Sequence, residues 1–266
     1  MLPSVFGKVV HDQWRATLAW AVASAALAAF YLALYPSLGG VAELRAMLEA
    51  MPPELRAIFL TEGLDLGTPA GYLNMELFSF VLPLVVAGYG VAVGSAAIAG
   101  EEERGTLDLL LANPIPRWRV VVEKSAALAV GMAIVVGAIW IGLAVTAALM
   151  EIDLDLGRVG SGLASGGLLG IAIGMLALLL GALTGRRTLS LALGMAALVV
   201  AWVINAMSPL VEALEPWRPV SPVYHYVGYD PLTNGFDATH AAALVAMALV
   251  SLAVAVVAFE RREIRG

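Results

Sequence analysis

The chain has 266 residues, 61% of them hydrophobic and only 14% charged, against about 25% charged in an average soluble domain, so lipid must be much of its solvent. Its net charge of -6 argues against nucleic acid as a partner, because nucleic acid rewards basic patches. The absence of cysteine excludes disulfides, thiolate metal sites and cysteine nucleophiles.

The first element lies before Ala16. Leu2, Val5, Phe6, Val9 and Val10 share one helical face, and Ser4, Lys8, His11 and Asp12 share the other. That pattern predicts an interfacial helix in the plane of the membrane, with a frayed terminus as the alternative. Crossing a hydrocarbon core of ~30 Å takes roughly 20 helical residues. Six stretches meet that length: Ala16–Tyr35, Met75–Ala99, Ser125–Met150, Gly162–Thr184, Leu189–Leu210 and Ala241–Phe259. The first is too long for a signal-peptide core and reads as an uncleaved span. All six are continuously apolar rather than alternating, which disfavours a barrel. The expectation is an all-α, polytopic membrane protein, a single domain over residues 1–266.

Between the first two spans, Leu44, Met47, Leu48 and Met51 repeat at helical spacing, as do Leu55, Ile58 and Phe59, with Pro52-Pro53 between the two sets. Two short helices on the outer membrane surface follow, acting as a passive cap or a gating lid. Glu76 is the one acid near membrane depth, in the first turn of the second span. An acid at a helix centre costs roughly 2.5–3.5 kcal/mol, so Glu76 is a candidate for a transport role. The alternative is that it reaches the headgroups from a helix N-terminus, where negative charge is favoured.

The loop after the second span runs from Gly100 through Glu101, Glu102, Glu103, Arg104, Gly105 and Thr106 into Leu107–Leu111, then Pro114, Pro116 and Arg117. Gly105 permits a sharp change of direction, Thr106 is an N-cap candidate, and Leu107, Leu110 and Leu111 share a face ended by the prolines. The product is a two-turn amphipathic knob joined directly to two spans; the bland alternative is an ordinary interfacial loop. In the fourth span Gly162, Gly166, Gly170 and Gly174 recur every fourth residue, a stripe that lets another helix approach closely, either within the subunit or across a dimer seam. The segment after the fifth span is rich in Pro, Trp and Tyr and reads as an irregular outer loop at headgroup level. His225 lies there, with no second histidine or carboxylate at ligand spacing, and reads as an ordinary loop residue rather than a metal ligand.

Lysine and arginine set the orientation. One side carries Lys8, Arg15, Arg104, Arg117, Arg119, Lys124, Arg186, Arg187, Arg261, Arg262 and Arg265; the other carries Arg45, Arg56, Arg158 and Arg218. The first side, with both termini, is expected to be cytoplasmic. Catalytic motifs are missing: the three histidines make no HExxH, there is no GxSxG, and Lys124-Ser125 lacks the glycine lead-in of a phosphate loop. No catalytic residue and no metal ligand is expected. Few polar side chains occur in the spans, Ser79, Tyr89, Ser95, Thr146, Ser190 and Asn205 among them, so the expected cargo is amphipathic or lipophilic.

The acid run, Gly105-Thr106, the leucine stretch, Pro114, Arg117 and Lys124 resemble the signature loop of the ABC-2 type transporter permeases. Ser221-Pro222 through Asn234-Gly235 is similar to an outer loop of one branch of that family, and Phe259–Ile264 to its usual ending. The resemblance implies a six-span permease of a bacterial plasma-membrane exporter, paired with a second permease copy or homologue and bound to cytoplasmic ABC ATPase subunits. It implies that ATP and Mg sit on those partners, with no cofactor in this chain. It also implies that Glu101, Glu102, Glu103, Gly105, Thr106, Leu107, Leu110, Pro114 and Arg117 form the ATPase-coupling element. It carries over no substrate residue. The competing readings are a membrane-embedded enzyme acting on lipid or peptide, and a non-transporting ABC membrane subunit.

Overall fold

A computed structural model describes residues 4–38, 68–107 and 115–262. The two surface helices expected between Leu44 and Phe59, and Leu110, Pro114 and the residues after Arg262, lie outside these. Among the described residues, six long apolar helices cross the molecule: α1 (Val5–Leu34), α2 (Pro69–Ala97), α4 (Arg117–Leu149), α5 (Leu156–Thr184), α6 (Arg187–Met207) and α9 (Ala238–Arg261). Short helices α3 (Ala99–Glu103), α7 (Pro222–Val227) and α8 (Pro231–Asn234) lie between them. Among the described residues there is no strand.

The long helices alternate in direction, so Ser4 and Arg262 lie at one end, called here the terminal end. α5 is the most buried of the six and sits at the centre, packed by α2, α9, α6 and α4; α1 packs on α4. Outward-facing side chains are large and apolar: Val22 is 60% exposed, Ile141 59% and Val250 63%. A water-soluble protein does not present so continuous an apolar surface; this one faces hydrocarbon.

Caps explain why several helices start before their apolar stretch. Asp155 accepts from the Gly157 and Arg158 N–H groups at 2.9 and 3.1 Å, and Asp237 from those of Thr239 and His240 at 2.8 Å each. Thr68 caps α2 by accepting from the Gly71 N–H, with Pro69 in the first turn. α2 therefore begins six residues ahead of Met75. Glu76 sits on the third turn, half-buried, and not at the helix N-terminus. The N-terminal amphipathic segment also differs from expectation. It is continuous with the first span in one 30-residue helix, about 45 Å long, because Asp12–Arg15 contains no breaker. Val5 and Val9 of its apolar face are buried against Val120 and Ala127 of α4.

Residues Asn74–Val81 of α2 wind as a π-helix, which shifts the register of the hydrogen-bond ladder. Tyr226 of α7 donates its hydroxyl to the Phe78 carbonyl at 2.9 Å, and Asn74 donates to the Asp230 carboxylate at 2.8 Å. The irregular segment after α6 is thus bolted to the wide turn of α2 at the end opposite the termini.

The glycine stripe is spent inside the subunit. A Cβ at Gly162 would meet the Phe78 ring at 2.7 Å, one at Gly170 the Val86 carbonyl oxygen at 2.8 Å, and one at Gly174 Cα of Gly90 at 3.0 Å. Gly166 faces Leu82 and Tyr226. α2 answers with Gly90 and Gly94, whose Cβ positions fall on the carbonyl oxygens of Gly170 and Gly174. Two pairs of glycines, each spaced by four, bring the α2 and α5 backbones into direct contact.

Candidate functional site

The residues singled out in the loop after α2 converge at the terminal end. α2 passes at Ile98 into α3, and α3 ends in a Schellman cap. Gly105 takes φ +66°, the Thr106 N–H bonds the Glu101 carbonyl at 2.9 Å, and the Gly105 N–H bonds that of Glu102 at 3.0 Å. The Thr106 hydroxyl also donates to the Glu101 carbonyl, at 3.2 Å. The glycine is thus the C′ residue of a short helix, and Thr106 follows it as the residue that closes the cap. Leu107 is buried with Ile98, Val121 of α4, Leu178 and Ala182 of α5, and Ala255 and Phe259 of α9. The start of the loop is therefore packed against three spans besides the one it leaves.

The three acids each reach a different helix. Glu101 pairs with Lys124 of α4 at 2.5 Å, with the lysine side chain 1% exposed; Lys124 also donates to the Ala97 carbonyl. Glu102 pairs with Arg262, just past α9, at 2.5 Å, and Arg262 donates to the Ala182 carbonyl of α5 at 3.1 Å. The guanidinium lies on Gly185, at φ +64° the glycine that ends α5; any side chain there would collide with it. Glu103 accepts the first backbone N–H of α6, that of Arg187, at 2.8 Å, a favourable place for a carboxylate. Arg117 of α4 donates to the carbonyls of Phe259 and Arg262 at 3.3 and 2.8 Å. At the α1–α4 seam, Glu123 accepts the Phe6 N–H at 2.7 Å and pairs with Arg119 at 2.6 Å.

The family resemblance assigns Glu101, Glu102 and Glu103 to contact with an ATPase. The structure gives each an intramolecular tie, so one five-residue helix is fastened to α4, α5, α6 and α9. Lys124, Arg262 and Gly185 were not picked out for this. The signal for Lys124 was present: it is the innermost cation of α4, followed by an uncharged run to Leu149, and a cation that deep needs an acid. The buried position of Lys124 also rules it out as a phosphate-binding lysine. Arg104 and Gly105 are exposed and form the outward surface of this joint. Glu76 is remote from it, beside Tyr72 at the opposite end.

Several polar groups within the spans are satisfied locally, whereas the buried Ser125 hydroxyl of α4 and the Asn205 side-chain oxygen of α6 have no hydrogen-bond partner among the described residues. Tyr89 and Thr17 share a hydrogen bond at 3.1 Å, Thr146 donates to the Gly142 carbonyl at 2.8 Å, and Ser190 donates to that of Ala177. The arrangement is a bundle of helices with an apolar surface and a joint at one end tied to four of them.

Among curated proteins none matches the chain. A family model described as ABC-2 family transporter protein matches residues 46–264, which takes in five of the six spans and the whole joint. Six apolar spans, the α3 joint and this match together place the chain in the ABC-2 family, as a membrane permease subunit of an ABC transporter.

Proposed function

We propose that this permease serves an exporter of the bacterial plasma membrane, with both termini cytoplasmic, driven by separate cytoplasmic ABC ATPase subunits that hold the ATP and Mg. The observation that carries the reading is the α3 joint. Its exposed face, Arg104 and Gly105, offers a contact, and its buried face is tied to α4, α5, α6 and α9. A push on that face moves several spans together. The concentration of Lys and Arg at the same end supports a cytoplasmic placement. A second copy or a homologue completes the translocation path, and an amphipathic or lipophilic compound suits spans that carry so few polar side chains.

The test is ATP-driven transport in vesicles holding the permease and its ATPase, for two variants at Gly105. A Cβ at Gly105 meets nothing within 4 Å, so the only obstacle to a side chain is the positive φ. Left-handed backbone costs an ordinary residue roughly 1–2 kcal/mol, and Asn tolerates it. Gly105→Asn is expected to keep most transport. Gly105→Val is expected to lose it while still inserting, because a β-branched residue reopens the cap and misdirects the loop. Equal transport in both variants would reduce the joint to a connector.

A further inference from the structure

The end opposite the termini holds a pair of imidazoles that the proposed function does not use. His225 of α7 and His240 in the first turn of α9 are fifteen residues apart in sequence. Their Nδ1 atoms are 3.1 Å apart. The Nε2 atom of His225 lies 2.8 Å from the Pro219 carbonyl oxygen. A carbonyl only accepts, so His225 carries its proton on Nε2 and turns a bare Nδ1 lone pair toward His240. An outer ring N–H held by a backbone carbonyl, with the inner nitrogen left as an acceptor, is the arrangement that orients a histidine toward a metal ion. Burial is the main influence on the His225 pKa and pulls it below the ordinary histidine value, with His240 adding to this and the Pro219 bond opposing it.

We propose that His225 and His240 bind a divalent transition-metal ion, Zn²⁺ or one of similar softness, through their two Nδ1 atoms. Zinc–nitrogen bonds of about 2.0–2.1 Å at a tetrahedral angle set two ligand nitrogens roughly 3.3 Å apart, close to the 3.1 Å between them now; on binding, both rings also turn so that their lone pairs meet at the ion rather than along the N···N line. His240 shifts its proton from Nδ1 to Nε2 on binding, and no net proton is lost. Imidazole is a preferred ligand for such ions, and water completes the coordination. The rings around the pair hold it in place: Tyr224 meets both imidazoles edge-on at 5.2 and 5.6 Å, and Tyr229 stacks on His240 at 5.0 Å. The charged neighbours are Arg218, over the Tyr224 ring at 4.8 Å, and Asp237, which accepts the His240 N–H at 2.8 Å. Bound metal would lock α7, and through Tyr226 the π-helical turn of α2, to the start of α9.

The test uses the full chain in lipid nanodiscs, purified without a polyhistidine tag. Zn²⁺ is titrated by calorimetry, with Co²⁺ absorption as a second readout. One saturable site per chain is expected. Loss of an outer partner of a ligand alone weakens binding roughly 10–100-fold, and His240→Ala or His225→Ala should exceed that. His11→Ala, at the other end of the molecule, should bind as the wild type does. His240 is partly exposed, so His240→Ala is the decisive variant if His225→Ala fails to fold. No zinc or cobalt response, or wild-type affinity in His240→Ala, would overturn the site and leave a hydrogen-bonded pair.

Discussion

Replacing Lys124 by alanine is expected to destabilise the detergent-solubilised protein by about 3–5 kcal/mol, because it strands the Glu101 carboxylate against an apolar layer. Lys124 is 1% exposed and Glu101 13%, and the layer beneath them contains Ile98, Val121, Leu178 and Phe259. The neighbouring pair of Arg119 and Glu123 is the internal control. Arg119 is 54% exposed, and exposed pairs contribute about 0–1 kcal/mol, so Arg119→Ala should change little. A double change of Glu101→Leu and Lys124→Met should recover much of the loss, since apolar residues of similar volume often replace a buried pair without penalty. Denaturant titrations followed by tryptophan fluorescence measure all four proteins. Equal stability of the Lys124 and Arg119 variants would show that the buried pair is not what holds the joint. The same geometry changes what charge reversal reports. Glu101→Lys sets two cations face to face inside the subunit, so its effect on ATPase binding would be an effect on the subunit's own packing.

The second large effect is expected at the α2–α5 crossing. Gly90→Ala and Gly94→Ala each place a methyl group on a backbone carbonyl oxygen of α5, which, unlike a side chain, cannot rotate away. Overpacking usually costs about 1–3 kcal/mol, and these two should fall at or above the top of that range and lower the yield of folded protein. Gly137 of α4 has nothing within 4 Å of its Cβ position. Gly137→Ala should be neutral or gain up to about 1 kcal/mol from helix propensity. Thermal aggregation in a mild detergent distinguishes the outcomes; three alike variants would mean that the two helices do not touch there.

The fold was legible in the sequence because hydropathy and length are properties of single segments. Six apolar runs of about 20 residues cannot be packed as anything but spans. The ends of those runs were not legible from hydropathy alone, since a helix stops where its backbone is capped. Thr68-Pro69 and Asp155 were visible signals that place two starts outside the apolar stretch. Of the joint, the sequence showed the ingredients, the acid run and Gly105, and the structure supplied their use. Which cation meets Glu101, and which carbonyl holds Arg262, depend on α4 and α9 arriving beside α3, and no local pattern contains that. Gly90 and Gly94 show the same gap in milder form: their spacing matches the α5 stripe, but only the crossing reveals them as its counterpart. His225 and His240 are the sharpest case. They stand fifteen positions apart across turn and short helix, and the fold closes that distance to 3.1 Å.

The central claim is that the α3 joint docks on a cytoplasmic ABC ATPase, and the most direct measurement is photocrosslinking in cells from one residue at each end of the molecule. Arg104 is exposed on the joint; Leu149, 79% exposed, ends α4 at the opposite end. A photoreactive amino acid at position 104 should yield an adduct with an ABC ATPase chain, and one at position 149 should not. No ATPase adduct from position 104, or one from position 149, would contradict the account.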